Sequence, residues 1–148
     1  MSYTIGQIAK KANLPPSTLR YYDKEGLLPF LSRSANGIRI FTDKDVELLR
    51  IIDCLKKAGM PIRAIKHFMD LATQGDATIS ERLELIRQQQ TMVATQITQL
   101  QSTLEILNYK AWYYETALQA GSCKIHDNMS EEEIPEKFRA VYDKLKGK

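Results

Sequence analysis

Residues 14–28, LPPSTLRYYDKEGLL, carry polar side chains at a spacing that a helix would align. On a helix that begins near Pro16, residues that are three, one and three positions apart lie along one stripe of the helix surface. Leu19 and Tyr22 lie on the other side, which faces inward. The stripe holds two hydroxyl groups, two cations and no aliphatic side chain: Ser17, Arg20, Tyr21 and Lys24. Guanidinium groups pair with guanine edges, and hydroxyl and ammonium groups mostly hold phosphates. The stripe therefore favours nucleic-acid contact, and the alternative is a solvated helix face.

Two short helices would position this stripe. A capping box at residues 4–7, TIGQ, predicts the start of a first helix. Pro15 and Pro16 open the second helix, where a missing N–H costs nothing, and Gly26 can end it. A short helix, a tight connection and a polar second helix form the layout of a helix-turn-helix, which places its second helix in the major groove. We therefore predict this motif at about residues 4–26.

A β-hairpin is predicted after the second helix, at about residues 31–41. The segment LSRSANGIRIF contains an Asn-Gly turn followed by residues that alternate as a strand does, which is a strong short-range hairpin pattern. Such a hairpin projects two arginines around its turn and has the shape of a wing that touches the DNA backbone. The predicted wing contacts are Arg33, Asn36 and Arg39.

Two more helices complete a predicted N-terminal DNA-binding domain, residues 1–75. Thr42 with Asp45 predicts the start of a third helix, and Pro61 starts a fourth that runs to about Leu71. The third helix turns an apolar stripe inward at Val46, Leu49 and Ile52.

Residues 78–120 are predicted to form one long helix. Thr78 with Glu81 would cap its start, and apolar side chains then recur at steps of four and three over five heptads, which is a coiled-coil seam. A helix of about 60 Å needs a partner, and a second copy is the simplest one, so we predict a homodimer. The alternative is a helix folded back on the N-terminal helices. The predicted interface residues are Leu83, Ile86, Gln90, Val93, Ile97, Leu100, Leu104 and Leu107.

Charge is distributed unevenly along the 148 residues, whose net charge is +3. Residues 1–75 carry 12 Lys and Arg against 7 Asp and Glu, whereas residues 76–148 carry 9 against 11. An excess of positive charge suits a polyanion. A competing class is a coiled-coil adaptor whose basic half contacts an acidic protein. The two cysteines are 69 positions apart, and the sequence shows neither a signal peptide nor an apolar run of membrane length. These features predict a cytoplasmic protein with no membrane partner.

The C-terminal segment, residues 121–148, is predicted to be a loop and a short helix. The segment GSCKIHDN has two interpretations: part of a metal site from Cys123, His126 and Asp127 that the other subunit completes, or a connector to the helix that begins near Pro135. No metal and no cofactor is predicted. Neither His67 nor His126 has a nucleophile or carboxylate at a recognisable spacing, so we predict no enzyme.

The final helix has an apolar stripe, which we expect to dock near three aromatic residues of the long helix. These are Tyr109, Trp112 and Tyr113. The aromatic cluster is either core or shelter for a small apolar ligand, and such stripes are more often core.

The ordered motifs TLRYYDKEGLL, NGIRIFTDKDVELLRII and LKKAGMPIRAIKHFM, followed by a heptad helix, resemble the MerR family of transcription regulators over about residues 3–118. The resemblance implies a mostly α-helical protein: a winged helix-turn-helix, a long antiparallel coiled-coil dimerisation helix and a short C-terminal helix. It also implies binding to double-stranded promoter DNA with too long a spacer, which the dimer twists and kinks so that RNA polymerase can use both promoter elements.

The resemblance assigns candidate DNA contacts position by position. Thr18, Arg20, Tyr21 and Tyr22 match the recognition-helix segment. Arg39 matches the wing arginine, and Arg63 lies where a second wing meets the backbone. Tyr22 is ambiguous, since the helical pattern turns it inward; its ring can be buried while its hydroxyl reaches a phosphate.

Cys54, in IIDCLKKAGM, resembles the single cysteine of the MerR-like group associated with reactive aldehydes and other thiol-reactive stress. The residues alone leave two interpretations open. Lys56 and Lys57 favour the reactive thiolate, whereas the C-terminal end of the helix and burial beside Leu55 disfavour it. Cys54 is thus either an effector-sensing thiol or a small apolar filler between helices.

Overall fold

The computed structural model describes residues 1–147 as six helices, three short strands and three 3-10 turns. The fold is mostly α-helical, as predicted, and none of the described helices is both long and apolar enough to cross a membrane. The helices are α1 (Ile5–Ala12), α2 (Pro16–Lys24), α3 (Asp43–Lys57), α4 (Ile62–Thr73), α5 (Ile79–Ala120) and α6 (Glu136–Leu145). The strands are β1 (Ser2–Tyr3), β2 (Ser32–Arg33) and β3 (Arg39–Thr42).

Local capping positions the first three helices as the sequence predicts. The Thr4 N–H donates to Gln7 Oε1 at 2.8 Å, and the Gln7 N–H donates to Thr4 Oγ1 at 3.3 Å, which completes the predicted box. Gly26 takes a φ of +75°, a conformation that glycine adopts without a steric penalty, and ends α2. At α3, Asp45 Oδ2 accepts from the Thr42 N–H at 2.7 Å.

The wing is a hairpin inside a three-stranded antiparallel sheet of order β1-β3-β2. The register pairs Arg33 with Arg39, and Gly37 supplies the left-handed turn residue at φ +77°. The hairpin prediction is confirmed. Strand β1 was not predicted, because two residues are too few to show an alternating pattern.

The Tyr3 hydroxyl holds β1 against the start of α3. It donates to Asp43 Oδ1 at 2.7 Å and accepts from Lys11 Nζ at 2.7 Å. The Tyr3 hydrogen bond, followed by that of the amino terminus, lowers the pKa of Asp43 from 3.8 to about 2. The short strand is therefore fixed by side-chain bonds as well as by its pairing with β3.

Residues 1–93 form one compact unit around a continuous apolar core. Helices α1 to α4, β3 and the segment after Gly26 all contribute to it, and the first turns of α5 reach it through Ile86. Its fully buried apolar side chains include Ile8, Leu19, Leu27, Phe41, Ile52 and Ile65.

The start of α5 differs from the prediction. A 3-10 turn, Gly75–Thr78, which the sequence did not predict, precedes the helix. The Thr78 hydroxyl donates to the Leu71 carbonyl at 2.6 Å and accepts from Arg82 Nε at 3.2 Å. These bonds tie the start of α5 to the end of α4, and the capping bond between Thr78 and Glu81 stays a prediction.

A buried amide, that of Gln89, joins α5 to the end of α3. Gln89 is 9% exposed, and its Nε2 donates to the Ala58 carbonyl at 2.8 Å. Gln90 is exposed. Among the predicted interface residues, Ile86 packs partly on the N-terminal core and Val93 is half-buried. The others are largely exposed on the single chain: Leu83, Ile97, Leu100, Leu104 and Leu107.

Residues 94–147 form the second unit, in which α6 docks on the C-terminal part of α5 as predicted. The Phe138 ring lies 6.1 Å from the Tyr109 ring and 5.7 Å from the Trp112 ring, measured between centroids. Tyr109, Ile134, Phe138 and Val141 are buried in this cluster.

Candidate nucleic-acid interface

Helix α2 has one buried and one exposed face, as the sequence predicts. Leu19 and Tyr22 are 0% and 1% exposed and anchor the helix on the N-terminal core. The opposite stripe is exposed, and Thr18 at its edge is half-buried. The exposed residues are Ser17, Arg20, Tyr21 and Lys24. Burying the apolar face therefore turns the polar one outward.

Tyr22 is a core residue by its ring. The Tyr21 ring lies 6.2 Å from it, and Lys56 Nζ lies 5.6 Å from its centroid. Its hydroxyl makes no hydrogen bond to any residue from 1 to 147. The structure thus supports the buried ring that the helical pattern predicts and leaves the hydroxyl available.

One carboxylate fixes the wing to α2. Asp23 Oδ2 accepts from Arg33 Nη2 at 2.7 Å and from Arg39 Nε at 2.7 Å. Arg33 Nη1 also donates to the Gly37 carbonyl at 3.3 Å, near the exposed Asn36 at the tip. Asp23 was missed in the sequence, because its partners lie 10 and 16 positions away and only the folded hairpin brings them together.

The remaining predicted cations are free of acidic partners. Arg20 and Lys24 on α2 and Arg63 on the first turn of α4 are exposed, and none forms an ion pair within the described part of the chain. A guanidinium or ammonium group without an internal counter-charge keeps its full attraction for an anion. The α2 stripe therefore carries the chemistry that phosphates and base edges require.

Cys54 lies on the exposed side of α3. Among its neighbours on the helix, Lys57 Nζ lies 2.7 Å from Asp53 Oδ2, and the Leu55 side chain is buried in the core. The interpretation of Cys54 as a filler between helices does not fit this placement.

His126 is held by the main chain and is not arranged as a metal ligand. Its Nε2 lies 2.9 Å from the Tyr113 carbonyl and 3.0 Å from Thr116 Oγ1. Because a carbonyl only accepts, Nε2 carries the proton. Among residues 1–147 no three His, Cys, Asp or Glu side chains are grouped so that they can hold a metal ion, and Cys123 and His126 make no such group.

We expect Asp23→Ala to loosen the wing. The substitution removes two charge-assisted bonds, worth together about 1 kcal/mol once the exposure of Arg33 is discounted. Amide hydrogen exchange in β2 and β3 should accelerate roughly fivefold. Asp53→Ala removes a comparable bond from the exposed pair on α3 and should leave exchange in the wing unchanged. Equal wing protection in the wild type and Asp23→Ala would show that the hairpin needs no clamp.

Solved structures of similar chains share this architecture. The chain is similar to HiNmlR, a MerR family regulator lacking the sensor domain that was crystallised bound to promoter DNA; the identity is 44%, the match covers 84% of this chain and 99% of that one, and the TM-score is 0.66. A MerR family regulator from Bacillus thuringiensis matches with 46% identity over 75% of this chain and 97% of that one, with a TM-score of 0.61.

Comparison of the amino-acid sequence with those of known proteins finds similar transcription regulators. An uncharacterized HTH-type transcriptional regulator of Haemophilus influenzae is 44% identical over 124 residues, which are 84% of this chain and 92% of that protein. AdhR, an HTH-type regulator of Bacillus subtilis, is 37% identical over 82 residues, 55% of this chain and 59% of its own. Residues 3–72 match the MerR HTH family regulatory protein model, and residues 46–108 match the model of the MerR DNA-binding region. The chain therefore belongs to the MerR family of DNA-binding transcription regulators, which are not enzymes.

Proposed function

We propose that the chain acts as a homodimer that binds and distorts double-stranded promoter DNA and activates transcription when a thiol-modifying effector reacts with it. The observation that carries the DNA-binding surface is the exposed, unpaired cationic stripe of α2 beside a wing that Asp23 holds in place. Membership of a DNA-binding family removes the adaptor alternative. As a promoter-binding protein it would act in the cytoplasm, with the chromosome.

In this proposal α2 enters the major groove and Arg20 pairs with a guanine edge. The hydroxyl and ammonium groups around Arg20 hold phosphates: Ser17, Thr18, Tyr21, Tyr22 and Lys24. The wing and the start of α4 contact the backbone through Arg33, Asn36, Arg39 and Arg63. Because one Asp23 carboxylate offsets only one of the two wing arginines, the wing keeps a net positive charge for a phosphate.

The family resemblance supports the regulatory step. Regulators of this kind bind promoters whose spacer is too long and deform the DNA so that RNA polymerase reaches both elements. Deformation needs two DNA-reading heads held at a set separation, which a dimer supplies.

Arg20→Ala is expected to cost about 1–3 kcal/mol in binding to the specific promoter and to relax the preference for one base pair. Lys24→Ala and Arg39→Ala should weaken all sequences about equally, and Lys24→Ala should reduce the salt slope by about one. Fluorescence anisotropy with promoter and scrambled duplexes over a salt series separates the two effects. An unchanged base preference in Arg20→Ala would reduce Arg20 to a phosphate contact.

The dimer rests on the seam of α5. Leu100, Leu104 and Leu107 are 69%, 57% and 58% exposed on the single chain, and they follow one another at heptad spacing. A regular row of exposed leucines on a helix marks an interaction surface. Residues 88–103 carry no charge, so apolar contact and polar packing, and not salt bridges, would select the partner there.

Leu100→Asp or Leu104→Asp should convert the dimer to monomer, because each places an unpaired carboxylate in an apolar seam. Thr98→Asp is a matched control, since this exposed residue lies far around the helix from the seam and should leave the dimer intact. Sedimentation velocity measures the outcome. Intact dimers in both leucine variants would mean that the heptad is not the interface.

Cys54 is the proposed effector-sensing thiol. It is exposed, as a reaction with a small electrophile requires, and it lies on the helix that follows the wing strand directly and packs against α4. An adduct on this helix would change how α3 meets the wing and α4, and through them the DNA-reading surface. The metal-responsive alternative, which uses Cys123 and His126, has less support because His126 Nε2 is already bonded within the chain.

Cys54→Ser should bind its promoter with unchanged affinity but lose activation by an aldehyde such as formaldehyde. The serine keeps the size of the side chain and removes the nucleophilic thiolate. Cys123→Ser, which changes the other exposed cysteine, should respond like the wild type. Promoter-reporter activity with and without aldehyde measures this, and an equal response of the wild type and Cys54→Ser would contradict the sensor role.

A further inference from the structure

A cavity of about 310 Å³ opens in the C-terminal unit, between α6 and the end of α5. Its lining includes Tyr109, Trp112, Tyr142, Asp127 and Lys146. All of these residues lie beyond residue 108, where the matched family regions end. The feature is therefore not part of the DNA-binding machinery.

The cavity is partly open to solvent and has the volume of a small-molecule pocket. Protein cores leave few voids larger than one water molecule, whereas pockets that hold small molecules begin at about 300 Å³. The aromatic cluster of α5 and α6 therefore lines a cleft that has room for one small ring.

The wall beside His126 is held rigidly. The His126 ring stacks on Tyr113 at 3.9 Å with an interplanar angle of 18°, and it meets Trp112 edge-on at 5.5 Å. Its Nε2–H is bonded to the Tyr113 carbonyl, which fixes the ring orientation. A site whose walls are locked in this way loses little freedom when a ligand enters.

Polar groups of the lining lack partners. Tyr109 is 8% exposed, yet its hydroxyl makes no hydrogen bond within residues 1–147, and the same holds for the Trp112 indole N–H and the Tyr142 hydroxyl. Burial, followed by the neighbouring Tyr142 and Tyr113, raises the pKa of Tyr109, so this hydroxyl stays protonated and able to donate. These donor groups are not sealed from solvent, so a bound acceptor would replace water at them.

The charges at the cavity select the ligand. Lys146 Nζ lies 5.7 Å from the centroid of the Tyr142 ring. The Lys146 ammonium group therefore occupies the position above this ring where a cationic ligand would otherwise bind. Asp127 is the acidic group of the lining. Hydroxyl, indole and ammonium donors together outnumber this one carboxylate. The cavity therefore suits a flat ring with an anionic acceptor group.

We infer that this cavity binds a small aromatic carboxylate, whose ring packs among Tyr109, Trp112 and Tyr142 and whose carboxylate accepts from the Tyr109 hydroxyl and the Lys146 ammonium. This site is separate from the Cys54 thiol and does not depend on the proposed chemistry there.

Trp112 is the single tryptophan of the chain and reports on the cavity directly. Benzoate titrated into the full-length protein should change the Trp112 fluorescence saturably in the millimolar range, and cyclohexanecarboxylate should bind at least fivefold more weakly. Tyr109→Phe keeps the ring and removes the hydroxyl, and should weaken benzoate at least fivefold. Tyr114→Phe, which changes a 61% exposed tyrosine outside the lining, should bind benzoate like the wild type.

Lys146→Gln provides a second test that does not depend on a core substitution, since Lys146 is exposed. It should weaken benzoate and leave the affinity for uncharged benzyl alcohol unchanged. Thermal unfolding of each variant verifies that it is folded. Quenching that rises linearly with benzoate, or equal benzoate affinity in the wild type, Tyr109→Phe and Lys146→Gln, would overturn the site.

Discussion

The Asp23 carboxylate makes the contact on which the proposed DNA-binding surface depends. One oxygen accepts from two arginines at 2.7 Å each, and so ties β2 and β3 to α2. Asp23 is only 19% exposed as a side chain, so solvent and salt screen this contact less than they screen an open surface pair. The same arrangement leaves one of the two arginine charges uncompensated. A single interaction thus sets the position of the wing and preserves its positive potential.

The packing of α2 and the clamp at Asp23 act on adjacent residues. Tyr22 is buried in the core, and Asp23 follows it immediately, so the helix cannot rotate about its axis without breaking both contacts. The outward stripe of hydroxyl and cationic groups is therefore held in a defined orientation before any ligand arrives. Preorganisation of this kind lowers the entropy lost on binding.

Features that depend on neighbours in sequence were predicted well. The Thr4–Gln7 capping box, the left-handed Gly26 and the hairpin at Asn36-Gly37 each follow from a few adjacent residues. Features that depend on distant partners were not. The 3-10 turn before α5, where the Thr78 hydroxyl donates to the Leu71 carbonyl, was not predicted. Asp23 looked like any surface carboxylate until the hairpin brought two arginines to it.

The sequence by itself determined the order of the elements, the inward and outward faces of α2 and the heptad row of α5, because helical periodicity and capping are local properties. Only the tertiary structure decided which groups are left over for function. It paired Arg33 and Arg39 with Asp23, buried the Gln89 amide against the Ala58 carbonyl, and left Cys54 exposed. It also formed a partly open cleft among aromatic residues that the sequence marked only as a stripe. These outcomes depend on distances between residues far apart in the chain, which no local pattern specifies.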